Sequence, residues 1–392
     1  MVRAFAGRAT VDTYASFLDH RRRPVRAQIV RRVRRSARTV SADGGGSGWR
    51  RYGYSARALV LVWAPDPPIA LLGLVGVTAL TDARLPLGWL RFLAAMAPVT
   101  IVITGASGNL GRLTAAAVAE RVPPSELILV TRTPEKLAAF ARSGATVRPG
   151  DFAQPDSLPG AFAGGTRALI ISTIGGSEAA ARHAAAFQAA AETGVQHIVY
   201  TSVPNPVVDN PFPPVAVHRA SEQALRGSGV AFTVLRNALY ADLRADLAAK
   251  YIQHGRWTTN IGEGCHAFIA RRDCAAAAAG ALTGHGHEGQ TYEITGPELV
   301  GRPQFLGLLE EASGRPVACI QYDDREYEAY RSAFMSDPGN ARFFELFTGT
   351  GRAIRMGFLN QLTGAVRHLS GQAPLTLREV IAQRRDTAGT AS

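Results

Sequence analysis

From Val99 onward, short apolar runs rich in β-branched residues alternate with longer segments of helical character. Val99–Thr104 is such a run, bounded by glycines, and predicts a strand buried on both faces of a parallel sheet. Further strands are expected at Glu126–Val130, near Ala145–Val147, and at Ala168–Ser172, His197–Thr201 and Ala231–Leu235. Helices are expected between them over 110–121, 134–142, 177–193 and 217–227. This alternation implies an α/β class, a doubly wound parallel sheet with helices on both faces. Past Asn237 the pattern turns irregular, with helices expected near 243–253, 273–282, 303–313 and 325–335 and a strand at 291–295. That part reads as a smaller C-terminal region covering the substrate.

The first 97 residues look different. They are Arg-rich, are interrupted by Ser-Ala-Asp-Gly-Gly-Gly-Ser-Gly at 41–48, and show no sustained apolar period before Ala58. The net charge of +12 on 392 residues would ordinarily suggest a nucleic-acid or membrane partner. Residues 1–95, however, hold 16 Arg, no Lys and five acids, a net of +11, which leaves +1 for the other 297. No nucleic acid is therefore expected for residues 98–392. The clean apolar stretch Pro68–Leu80 is shorter than the ~20 residues a spanning helix needs, so no membrane span is expected. A tail for membrane or nucleic acid, a regulatory arm, and translated sequence upstream of the true start all remain readings of this extension. The third is favoured, because Met96-Ala97-Pro98 directly precedes the first strand. The expected division is a basic, disordered extension (1–97), a dinucleotide-binding domain (98–236), the substrate-covering region (237–385) and a disordered tail (386–392). Three cysteines at 265, 274 and 319 fit neither a disulfide framework nor zinc spacing, which favours a cytoplasmic home.

The strongest local signal is Gly105-Ala106-Ser107-Gly108-Asn109-Leu110-Gly111, directly between a strand and a helix. In that context the first glycine permits the turn, the second lets backbone approach a pyrophosphate, and the third lets helix pack on strand, as in Rossmann-type sheets. The anion would lie at a helix N-terminus, where free N–H groups and the dipole favour it. At the end of the second strand, NAD sites place an acid for the ribose hydroxyl; here stand Thr131-Arg132-Thr133-Pro134-Glu135-Lys136. Thr133 can cap the following helix, and Arg132 and Lys136 are placed to flank a 2′-phosphate, so NADP(H) is the expected cofactor. Asp151 and Phe152 would lie beside the adenine, though Asp151 equally suits a turn.

These segments, with Tyr200-Thr-Ser202, Leu235-Arg-Asn237, Tyr240, Arg271–Ala277 and His287–Gly296, resemble the NmrA-like branch of atypical short-chain dehydrogenases, in particular bacterial NADPH:quinone oxidoreductases of type 2. The likeness covers about residues 98–385. It implies a nicotinamide near Ser172, Thr173, Thr201, Ser202 and Asn237, with Arg236 alongside. Ordinary short-chain dehydrogenases use Tyr-x-x-x-Lys as proton donor. The only lysines here are Lys136 and Lys250, and four residues before them stand Arg132 and Asp246. An alkoxide product needs a proton donor, whereas a quinone yields a phenolate stabilised by aromatisation. Hydride transfer to a quinone or similar electron-poor acceptor is therefore the expected function. The alternative is a non-catalytic NmrA-like sensor of NADP(H).

The candidate catalytic residues are His218 as a proton relay, against an ordinary helix residue, and Asn237 and Tyr240, which leave the last strand at the carboxyl edge where such sheets bind ligands. His285-Gly-His287 with Glu288 lacks a third ligand at metal spacing, so no metal is expected. A homo-oligomer is compatible with the sequence.

Overall fold

In the computed structural model, residues 99–389 are described except 174–175, 177, 338–339 and 341–347; before them only five strands are described, as backbone. Met1–Ala97 and Pro98–Ser392 are separate compact units. In the first, Asp12–Leu18 pairs antiparallel with Pro24–Val30, and Val60–Pro65 pairs antiparallel with Val2–Arg3 and Pro68–Gly73. These strands fall within the segment read from the sequence as a basic extension. The rest of that segment, expected to be disordered, lies outside the described residues.

The second unit is built on a seven-stranded, all-parallel sheet. Its strands are β1 (Ile101–Ile103), β2 (Leu127–Thr131), β3 (Thr146–Pro149), β4 (Arg167–Ile170), β5 (His197–Ser202), β6 (Ala231–Asn237) and β7 (Thr291–Ile294). The spatial order is β3-β2-β1-β4-β5-β6-β7, the doubly wound arrangement whose order reverses between β1 and β4. Successive side chains serve opposite faces. Ile101, Ile103, Leu127, Leu129 and Leu235 pack under Leu110, Ala115 and Val118 and the Ala-rich helix Arg271–Thr283. Val102, Ile128, Val130 and Ile198 pack under Phe162 and Phe187 on the other side.

The expected strand at 291–295 belongs to this main sheet, paired parallel with β6, and not to the covering region. The covering region has its own core around Trp257, Phe268, Phe305 and Leu309. It also holds a parallel pair, Arg256–Thr259 with Ala318–Gln321, too short and polar to stand out in the sequence. The final helix, Leu377–Gly389, runs into the expected tail; residues 390–392 lie outside the described ones. Among the described residues no helix is long and apolar enough to cross a membrane.

Candidate cofactor and substrate site

The glycine turn sits at the carboxyl end of β1, at the reversal point of the sheet. Gly105 adopts φ +61, and Gly108 stands at the N-cap of helix Asn109–Ala119. A β-carbon on Gly111 would lie 2.2 Å from the Gly105 carbonyl oxygen, so only glycine lets the helix start this close to the turn. The Ala106 and Gly108 N–H groups donate to Val130 O and Gly105 O, which locks the turn. Among the described residues the N–H groups of Ser107, Asn109, Leu110 and Gly111 have no acceptor. They form an anion cradle of the kind a pyrophosphate fills. Thr104 ties β1 to β4: its hydroxyl donates to Leu169 O and accepts from the Ile171 N–H.

A hydroxyl cluster links the turn to the end of β2. Ser107 Oγ lies 2.6 Å from Thr131 Oγ1, and the Thr133 hydroxyl donates to Ser107 Oγ at 3.1 Å. Thr133 therefore reaches back to the glycine turn and does not cap the next helix, which starts as a 3-10 turn at Pro134. Arg132 and Lys136 are exposed and make no ion pair among the described residues. Asp151 Oδ1 accepts from the Ala153 N–H, the turn role, while Phe152 is buried and packs edge-on to His183, 6.4 Å between ring centres.

The ends of β4 and β5 carry the remaining hydroxyls. The Ser172 N–H donates to Thr201 Oγ1 at 2.9 Å. The Thr173 N–H donates to His183 Nε2 at 2.9 Å, so that nitrogen is an acceptor and the proton resides on Nδ1. Nδ1 faces Ser221 Oγ at 2.9 Å and Tyr200 Oη at 3.2 Å, and Tyr200 Oη in turn lies 3.1 Å from His218 Nδ1. His218 is thus buried behind Tyr200 and His183. The chain toward Thr173 is interrupted at His183 Nε2, which accepts a backbone N–H and holds no proton to pass on. His218, expected as a relay, lies inside this buried imidazole–phenol–hydroxyl network.

Burial pushes the imidazoles of His183 and His218 down to about 4. Both are neutral in the folded chain and return toward 6.5 on unfolding. The unfolded state then binds more protons below that value, so stability falls as pH drops from 6.5 toward 4. By pH 5 each imidazole is expected to cost roughly 2 kcal/mol. Urea midpoints measured from pH 7.5 to 5 should show this slope; equal midpoints throughout would contradict it.

Arg236, expected beside the nicotinamide, is held by two carboxylates of the protein. Its Nε and Nη2 donate to Glu222 at 2.9 Å each and its Nη1 to Glu293 at 3.0 Å, while the Ser202 hydroxyl donates to Glu222 at 2.8 Å. The register aligns Ser202, Arg236 and Glu293 on adjacent strands, under the helix Val215–Gly227 that carries Glu222. The next residue faces the other way: Asn237 is 7% exposed, its side chain hydrogen-bonds Tyr240, and its Oδ1 has no partner among the described residues. Tyr240 is half-buried with Arg271 stacked 4.4 Å from its ring centre, and burial raises its hydroxyl well above the usual phenol range.

A family of NAD(P)H-binding proteins matches residues 105–284. Quinone oxidoreductase 2 of Escherichia coli is 32% identical over 229 residues, 58% of this chain and 80% of that one. The chain belongs to this NAD(P)H-binding, NmrA-like family. The structure of the Escherichia coli NADPH-dependent quinone oxidoreductase with NADPH superposes with a TM-score of 0.68 at 29% identity, covering 72% of this chain and 99% of that one. Triphenylmethane reductase of Citrobacter sp., solved with NADP(H), gives 0.65 at 33% identity over 72% and 99%. The present NmrA-like chain is accordingly an NAD(P)H-dependent oxidoreductase, and the free N–H groups of the glycine turn fit the pyrophosphate of that cofactor.

Within this NmrA-like frame, sequence reasoning missed His183 and Glu222. Both lie on the buried faces of helices, Ala179–Glu192 and Val215–Gly227. In the second helix the spacing Val215, His218, Ser221, Glu222, Leu225 is the signal that places them inward.

Proposed function

We propose that the protein transfers hydride from NADPH to a flat, electron-poor, quinone-like acceptor without a Tyr–Lys pair. NADPH supplies the hydride. The observation that carries this reading is that none of the described residues at the site offers a usable acid. Tyr240 is held above its ordinary range by burial, and the cation beside it, Arg271, covers the ring face. His218 is neutral and screened by Tyr200. An acceptor whose reduced oxygen is stabilised by its own aromatic system needs no such acid. In this reading Thr173, fixed by His183, and Asn237, with its open Oδ1, orient the nicotinamide and acceptor. Backbone N–H groups of Ser107, Asn109, Leu110 and Gly111 hold the pyrophosphate. Arg132 and Lys136 take the 2′-phosphate. That the matched proteins are named for reducing quinones and triphenylmethane dyes, both extended conjugated acceptors, supports the class.

The test is steady-state oxidation of NADPH, followed at its absorbance band, with a series of quinones and with simple ketones as controls. Turnover with quinones and none with ketones is expected; tight NADPH binding without turnover on any acceptor would leave the sensor reading instead. Arg132→Ala should weaken NADPH binding by roughly ten- to a hundredfold, the equivalent of a charge-assisted contact of about 1.5–3 kcal/mol, with little change for NADH. Equal weakening of both cofactors would remove Arg132 from the phosphate site.

A further inference from the structure

The buried ring of His183 decides which way a hydroxyl at the end of β4 directs its proton. The side chain is fully buried, and both of its nitrogens have fixed roles. The Ser221 hydroxyl donates to Val217 O at 2.9 Å, so toward His183 Nδ1, also at 2.9 Å, its oxygen accepts. The imidazole proton is therefore on Nδ1, in agreement with the Thr173 N–H donating to Nε2 at 2.9 Å. Nε2 also lies 3.2 Å from Thr173 Oγ1. A nitrogen lone pair in that position takes the hydroxyl proton, so Thr173 donates to the ring and keeps the lone pairs of its oxygen for another group. The residue is exposed, just beyond the end of β4, and among the described residues its hydroxyl has no other partner.

We infer that His183 is a positioning residue that makes the Thr173 hydroxyl an acceptor for the carboxamide NH2 of the nicotinamide. This rests on the site reading proposed above. There the 2′-phosphate lies at the end of β2 and the pyrophosphate at the turn after β1. The nicotinamide half then extends across the reversal of strand order, over the carboxyl ends of β4 and β5. Its carboxamide carries two N–H donors at one end and a carbonyl acceptor at the other. A hydroxyl free to rotate would serve either end, so the group could bind in two orientations. With its proton committed to His183, Thr173 serves the NH2 end alone, which selects one of them. The constraint comes from two helices behind the sheet, Ala179–Glu192 through His183 and Val215–Gly227 through Ser221.

Titration calorimetry of the full chain with NADP⁺ and with its 3-acetylpyridine analogue tests this without turnover. The analogue keeps the carbonyl and has a methyl group in place of the NH2. The parent is expected to bind NADP⁺ roughly three- to tenfold more tightly, the size of one net hydrogen bond. Thr173→Val and His183→Phe should both lose that preference, and any general loosening of the pocket cancels in the ratio. Thr173→Ser and His183→Gln return the hydroxyl and an acceptor for its proton, and should keep it. A parent without preference, or a His183→Phe variant that retains the parental one, would overturn the assignment. If His183→Phe does not fold, equal preferences in Thr173→Val and Thr173→Ser would overturn it instead. Lost quinone turnover with the preference intact would strike the proposed reaction and leave the role of His183 standing.

Discussion

Gly111→Ala is expected to raise the dissociation constant for NADPH by at least about a hundredfold while the protein stays folded. The added methyl would meet the Gly105 carbonyl oxygen at 2.2 Å and Ala106 Cα at 2.8 Å. Both are backbone atoms of the turn, so no side chain can rotate away. The helix Asn109–Ala119 must instead retreat from the turn, and its free N–H groups cease to converge on one anion. Gly108 makes a useful control. There a β-carbon would stand 3.2 Å from the same oxygen, a contact that a few tenths of an ångström relieve. Gly108→Ala should therefore weaken binding by no more than about tenfold, within the 1–3 kcal/mol of ordinary overpacking. Titration calorimetry with NADPH separates the two. Equal losses in both variants would show that the glycine turn is read by something other than this close approach.

Glu222→Ala is expected to destabilise the fold by about 3–5 kcal/mol, the range for removing one partner of a buried ion pair. The carboxylate is 1% exposed and receives Ser202, Arg226 and both donors of the Arg236 fork. Its loss leaves Arg236 with Glu293 alone and strands the Ser202 hydroxyl between two strands of the sheet. Arg236 holds Glu222 below the ordinary carboxylate range against the opposing effect of burial. The contribution is therefore present above the normal carboxylate value and disappears as pH falls through the lowered one, below the window in which the histidines act. Urea unfolding at pH 7 measures the difference; a change under about 1 kcal/mol would reduce the network to surface-like pairing.

Much of the dinucleotide half was legible because each strand there is a short apolar run and each glycine has a steric duty visible in its spacing. Hydrophobic periodicity identified six strands of the sheet in order, and the seventh as an isolated strand. It could not say that Thr291–Ile294 docks beside β6, since pairing after a long excursion is a tertiary fact. The partners of Arg236 escaped the sequence for a related reason. Strand alternation sends it to the face opposite Leu235 and Asn237, but its partners come from residues 222 and 293. His218 was more readable than its first assignment allowed. Its place in the Val215, Ser221, Leu225 stripe marks the inner face of a helix, and an inward imidazole between a tyrosine and an alanine-rich helix titrates low. Thr133 carries a different lesson: a hydroxyl at the start of a helix has a second choice when another hydroxyl lies within reach.

The docking of β7 has a consequence for how such an enzyme diversifies. β6, the helix Arg271–Thr283 and β7 form one strand–helix–strand crossover, and residues 238–270 are spliced in between its first strand and its helix. The splice opens at the carboxyl edge of the sheet, where ligands gather. Its length and sequence can drift without disturbing either the strand register or the crossover, since both ends are pinned by the sheet beneath. In the proposed reading, changes there fall on the acceptor's side and leave the nucleotide turn untouched. A lineage built this way can exchange one oxidant for another while keeping its reductant.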